Sequence, residues 1–276
     1  MNILKQHENS PLARDLFGLH FPNPFGFTAC KGPVVIRHSK VRYFSFVEIG
    51  PITSVEEPVS DSESTLDKLK AEFKAKMNIK KPVGESLSVR EAISILKAHK
   101  PRRLIAANLA PSRLSIDGKS ITHDIVTSFN YMYDFADMFI IDTFHKNANG
   151  STPLQNVDLL SEVLDAILKV RISNDTFKPI FIRVESTIQE QSLIAMLDYM
   201  RYSGVEAIIA GFNSAPYELV KKIVGLTQGR YPVIACGDIH DADDAQRLLD
   251  AGACLLQSDG NCKRILKTLE KNIPTK

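Results

Sequence analysis

The chain has 276 residues, about the length of one closed α/β barrel, and its 44% hydrophobic and 24% charged content is that of an ordinary globular protein. Lys and Arg number 34 against 32 Asp and Glu, a net charge of +2, which argues against a dedicated nucleic-acid-binding protein. The four cysteines, Cys30, Cys236, Cys254 and Cys262, form neither a CxxC pair nor a zinc-like spacing, and reduced core thiols are expected. No apolar run approaches the roughly 18 residues of a membrane span. The opening MNILKQHENSPLARD has no signal-peptide core, so the expected location is cytoplasmic, without a membrane partner.

Taken in chain order, short apolar runs read as strands: Phe25–Thr28, Phe44–Ile49, Leu104–Asn108, Met138–Asp142, Ile180–Val184, Ala207–Ala210, Val233–Cys236 and Cys254–Gln257. Most are too apolar to have a wet face, as in parallel strands covered on both sides. Helical spacing of apolar residues predicts helices over Ser88–Ala98, Asn156–Val170, Ala242–Ala251 and Cys262–Leu269. The acidic, serine-rich stretch Val55–Thr65 and the helical pattern after it break this rhythm. They read either as a surface helix behind a loop or as an active-site flap, an insertion at about 55–86. Eight strands alternating with helices predict an α/β fold, a single (β/α)8 TIM barrel over residues 1–276. An open doubly wound sheet is the alternative, but no GxGxxG follows the first strand.

Several segments carry a family resemblance in the right order. They are LFGLHFPNPFGFTACKG (Leu16–Gly32), FVEIGPITSVEEP (Phe46–Pro58), LIAANLAPS (Leu104–Ser112) and YDFADMFIIDTFHKNANGSTPLQ (Tyr133–Gln155), then KPIFIRVES (Lys178–Ser186), GVEAIIAGFNS (Gly204–Ser214) and YPVIACGDIHDADDAQRLLDAGACLLQ (Tyr231–Gln257). Together they resemble dihydroorotate dehydrogenases, the FMN-binding barrels of pyrimidine biosynthesis. The last segment alone is also similar to other phosphate-binding barrels. The "NP-G" opening and the "EIG-IT" turn narrow the resemblance.

The resemblance implies an FMN site at the C-terminal mouth, with a small-molecule substrate and a homodimer. Ala29 and Thr28 would let a flavin ring approach, and Asn108 would bond the ring or ribityl chain. Arg183 stands where the family carries a lysine, and a cation there stabilises a reduced flavin; the alternative is a mouth salt bridge with Glu185. Gly237 and Ser258 fall at the phosphate, where free backbone N–H groups are expected. His145 falls on or next to the position of the family's serine or cysteine base, and an imidazole can accept a proton near neutral pH. Asn147 and Asn213 remain as substrate-binding asparagines.

The ligand-facing text also departs from the pattern. The asparagine motif after strand two is missing, and Asp238 and Asp259 stand in the phosphate loops. A carboxylate about 4 Å from a phosphate costs several kcal/mol unless it turns outward. Three functions follow: an FMN-dependent oxidoreductase of dihydroorotate or a related ring, a non-catalytic homologue, and a metal-dependent hydrolase or lyase. The last would use Asp142, His145, Glu185, Asp238 and His240.

Overall fold

The computed structural model describes residues 10–30, 41–55, 86–98, 102–212, 216–260 and 262–272, with only the backbone of residues 29 and 30. A short antiparallel hairpin, β1 (Arg14–Leu16) and β2 (Leu19–Phe21), comes first. Its turn places Phe17 at φ 56° and Gly18 at φ 74°, and β3 (Phe25–Cys30) follows.

The strands are β4 (Phe46–Thr53), β5 (Leu87–Ser88), β6 (Leu104–Leu109), β7 (Met138–Asp142), β8 (Ile180–Val184), β9 (Ala207–Ala210), β10 (Val233–Cys236) and β11 (Ala253–Ser258). The helices between them are α1 (Val89–Ala98), α2 (Gly118–Met132), α3 (Val157–Ile172), α4 (Glu190–Ser203), α5 (Tyr217–Thr227), α6 (Ala242–Asp250) and α7 (Cys262–Asn272). Strands β3, β4, β6, β7, β8, β9, β10 and β11 pair in parallel, and β3 pairs with both β11 and β4. The sheet therefore closes into the predicted (β/α)8 barrel, with β5 attached to β4 beside it. The open-sheet alternative is thereby excluded. Helices α2, α4 and α5 are additions to those predicted from sequence.

Two apolar clusters follow from the two-residue period of a strand. Outward residues such as Val47, Ile105, Ile141 and Ile182 pack under the helices. Inward residues Phe46, Ala106, Ile140, Phe181 and Leu255 fill the lower interior together with Phe21. The hairpin stoppers this end: Phe17 lies 5.0 Å from the Phe181 ring, and Phe21 meets Phe46 edge-on at 5.8 Å. Gly26 is needed here because a Cβ would come within 2.0 Å of the Phe46 ring.

Most of the Val55–Lys81 stretch, and with it the predicted flap, lies outside the described residues.

Candidate functional site

Two residues further along each inward strand face, apolar gives way to polar. Phe46 is followed by Glu48, Ala106 by Asn108, Ile140 by Asp142, Phe181 by Arg183 and Leu255 by Gln257. These side chains form one layer beneath the C-terminal mouth, where barrel enzymes keep their chemistry.

Glu48 is the hub of that layer, fully buried at 0% exposure. Both terminal nitrogens of Arg183 donate to it, Nη1 to Oε1 at 2.7 Å and Nη2 to Oε2 at 2.6 Å. Asn108 Nδ2 donates to Oε1 at 2.8 Å and Thr28 Oγ1 to Oε2 at 3.2 Å. Gln257 Nε2 also donates to Oε2. Burial pushes the Glu48 carboxyl up, but the charge and hydrogen bonds of Arg183 outweigh it and hold the group below the usual carboxylate range. On Arg183, burial opposes the charge and Glu48 prevails, so its pKa rises. Asp142 Oδ2 lies 4.0 Å from Arg183 Nη1, and the guanidinium carbon sits 5.0 Å from the Phe212 ring. The sequence reading set Glu185 as the alternative partner for Arg183. The partner is instead Glu48, 135 residues away, which that reading did not single out.

Above the layer opens a cavity of about 1120 Å³, lined among the described residues by Glu48, Asn108, Asp142, His145, Glu185 and Phe212, with others from the loop after β7. His145 lines it with a buried Nε2 that has no hydrogen-bond partner. Asn108 Oδ1, on a side chain 2% exposed, is likewise unpartnered, as is Arg183 Nε. Buried polar atoms without partners are uncommon enough to need a reason, and a bound ligand is one.

The loop after β7 is braced from within. Asn147 Oδ1 accepts from the N–H groups of Asn149 at 3.0 Å and Ser151 at 3.1 Å, and Phe144 N donates to Asp142 Oδ1 at 2.9 Å. The Asn147 side-chain oxygen thus holds the loop, which lets Gly150, Ser151 and Thr152 line the cavity. Asp124 on α2 does similar work for the mouth: it accepts from Ser54 N at 2.7 Å and also from Ser112 N. It ties the turn after β4 to the one after β6, and it was not anticipated from sequence.

On the far side of the mouth, Gly237 has φ 148° and its N–H donates to the Gln257 carbonyl at 3.0 Å, so it is not the free donor expected for a phosphate. Ser258 is buried and accepts a long 3.4 Å bond from Gly260 N. Asp238 and Asp259 are both exposed, where water screens their charge. The Ala29 side chain and all of Asn213 lie outside the described residues. Among the described residues no three His, Cys, Asp or Glu side chains are grouped to hold a metal, so the metal-dependent alternative loses its constellation. No described helix is long and apolar enough to cross a membrane.

No family model matches the chain. A dihydroorotate dehydrogenase (quinone) of Nostoc sp. (strain PCC 7120 / SAG 25.82 / UTEX 2576) is 26% identical over 295 residues, covering 93% of this chain and 76% of the relative. The corresponding protein of Christiangramia forsetii is 23% identical over 278 residues, covering 91% and 80%. Among solved structures, the ferulenol complex of dihydroorotate dehydrogenase from Eimeria tenella superposes with a TM-score of 0.73 at 16% identity, covering 95% of this chain and 85% of that one. Its ligand-free form gives 0.74, covering 95% and 88%.

The chain is a divergent relative of the dihydroorotate dehydrogenases.

The barrel is thus shared with those dehydrogenases, and the mouth bears on whether the family's FMN fits. At the ring end one group suits it: Asn108 Oδ1 lines the cavity as a bare acceptor, complementary to the N–H of a flavin's pyrimidine edge, whereas the equally bare Arg183 Nε belongs to a side chain 1% exposed that does not line the cavity. The charge of Arg183 is already balanced by Glu48, so it offers a reduced flavin less than a free cation would. At the phosphate end the described groups are the buried Ser258 hydroxyl and the turns around Gly237 and Gly260.

Proposed function

We propose that this dihydroorotate dehydrogenase relative is an FMN-dependent oxidoreductase that oxidises dihydroorotate or a related small ring at its barrel mouth. The observation that carries the reading is the pairing of His145 Nε2 and Asn108 Oδ1, both buried, both unpartnered and both on one cavity. When bound, FMN supplies a two-electron acceptor for hydride, chemistry that no side chain performs.

The chain's own residues do the rest. Asn108 would meet the ring edge, with Arg183 beneath it holding the Glu48 carboxylate that orients the Asn108 amide, and Ser258 and Gly237 are assigned to the phosphate end on the resemblance alone. His145 would take a proton from one substrate carbon while the neighbouring carbon gives up its hydride, so a double bond forms between the two and the substrate loses one proton and one hydride in all. The Asn147 brace keeps His145 over the cavity, because the loop's own N–H groups are satisfied internally. Asn213 is assigned to the substrate on the resemblance alone.

Reduction of bound flavin in a single turnover tests the assignment. His145→Ala is expected to slow that step by about 10²- to 10⁴-fold, the ordinary contribution of a positioned general base. FMN uptake should be unchanged. An unaltered rate would remove His145 from the mechanism. Protein that is purified colourless and takes up no added FMN would instead favour the non-catalytic homologue, a reading that the neutralised charge of Arg183 supports.

A further inference from the structure

We infer that the corner where the approaches to β4 and β6 meet the start of α7 is a binding site for a phosphate group. None of its residues lines the cavity at the mouth, and the inference does not rest on the flavin reading. Arg42 and Tyr43 lie just before β4, Arg103 just before β6, and Lys263 on the first turn of α7. The fold ties these three segments together. Arg103 Nη2 donates to the Arg42 carbonyl, and Cys262 Sγ lies 3.6 Å from the Tyr43 carbonyl.

Two cationic heads converge on one phenol, with a third beside them. Arg42 Nη2 donates to Tyr43 Oη at 2.6 Å, and its guanidinium carbon sits 4.8 Å from the ring centroid. Lys263 Nζ lies 5.2 Å from the same centroid. Arg103 is half-buried, and burial lowers its pKa against the opposing influence of the Cys262 thiol. Gathered like charges repel unless an anion balances them. Among the described residues none of the three forms an ion pair. The stretches that border them in sequence, 31–40 and 99–101, contain neither Asp nor Glu. The chain as a whole is almost balanced, with 34 basic and 32 acidic residues, so the excess is local. Tyr217 gives the contrast. Arg247 and Lys221 flank its ring at 4.5 Å and 5.3 Å, but there Lys221 has Glu218 at 3.9 Å, and Arg247 shares α6 with Asp243 and Asp244.

The phenol reports the same field. The Arg42 hydrogen bond, opposed by burial, and then the contact and charge of Lys263 hold Tyr43 below the usual phenol range. The surrounding cations thus favour negative charge at this point. A phosphate suits them best. Its oxygens match the guanidinium fork, a lysine adds a point charge, and a phosphomonoester carries nearly two negative charges where a carboxylate carries one.

Calorimetry on the full chain tests this with pyrophosphate, and with acetate as the carboxylate control. Pyrophosphate should bind saturably at one per chain and more tightly than acetate. Arg42→Gln with Lys263→Gln should weaken it at least about tenfold, since a hydrogen bond to a charged group is worth that much or more. Both side chains are exposed, so the thermal midpoint should not move. Tyr43→Phe keeps the ring, removes the oxygen and should weaken binding in the same direction. Lys221→Gln with Arg247→Gln should leave it unchanged. Sedimentation with phosphatidylcholine vesicles, with and without phosphatidic acid, separates two sources of the phosphate. Sedimentation that needs both the phosphatidic acid and the Arg42–Lys263 pair assigns it to a lipid headgroup, and pyrophosphate binding without sedimentation assigns it to a soluble ligand. Binding of neither probe overturns the inference, as does binding indifferent to the double substitution, equal affinity for acetate, or an equal loss in the Tyr217 control. FMN uptake is recorded in parallel and should be the same in parent and double variant. Its loss in the variant alone would give these cations to the flavin phosphate and would also overturn the inference.

Discussion

The lower and upper layers of the barrel interior are made by the same strands on the same two-residue period, yet they are held by opposite means. Below, Phe46, Ile140, Phe181 and Leu255 meet the hairpin's Phe21 in dry, shape-filling contact. Above, Glu48, Asn108, Arg183 and Gln257 are held by directed hydrogen bonds around one buried carboxylate. The apolar layer tolerates substitutions that conserve volume. The polar layer tolerates loss of both charges together far better than loss of one, because a lone buried charge has nowhere to be solvated. The lower end is built as a plug and the upper end as a floor on which a ligand can stand.

Breaking the upper layer should give the largest effect. Glu48→Ala leaves Arg183 buried without its partner and is expected to cost about 3–5 kcal/mol in chemical denaturation. Replacing both, as Glu48→Leu with Arg183→Met, should recover most of that loss. If the single variant were as stable as the parent, the pair would not be the structural hub described.

The lower layer should respond less, and to volume rather than charge. Gly26→Ala drives a methyl into the Phe46 ring and should cost about 1–3 kcal/mol. Adding Phe46→Leu should relieve part of it, and an unrelieved double variant would show that backbone rather than ring absorbs the strain.

Acid should separate the two layers next. The folded pKa of Glu48 is depressed below that of an unfolded glutamate, roughly 4.3. Its stabilisation is therefore fully present above that value and is lost as pH falls through the folded pKa. Urea midpoints should drop below about pH 4, and Glu48→Gln should flatten the drop, whereas Gly26→Ala should leave its shape unchanged. The smallest effects belong to Asp238→Asn and Asp259→Asn, both exposed and expected within about 0.5 kcal/mol of the parent.

How much of this could be read from the chain follows the same division. Apolar runs marked the strands well: Met138–Asp142, Ile180–Val184, Ala207–Ala210 and Val233–Cys236 have the predicted bounds. Strand four runs on to Thr53, past the predicted end at Ile49, because Gly50 and Pro51 read as a turn while the backbone continues to pair Ile52 with Leu109. Period two also announces that Glu48 and Arg183 face inward. It cannot say that they meet, since closure of the barrel alone brings strands so distant in sequence across one interior. The same limit explains Asn147 and Gly237. Residue type suggested ligand contacts, but the side-chain oxygen of one and the N–H of the other are committed to their own surroundings, which only the folded loops reveal.

Whether the polar layer is a floor for flavin is tested most directly by titrating FMN into the 276-residue chain and following flavin fluorescence. Saturable uptake at one FMN per chain is predicted, weakened about tenfold by Asn108→Ser, which removes the bare acceptor for roughly the worth of one buried hydrogen bond. No uptake, or uptake indifferent to Asn108, would show that the polar layer is not a flavin floor.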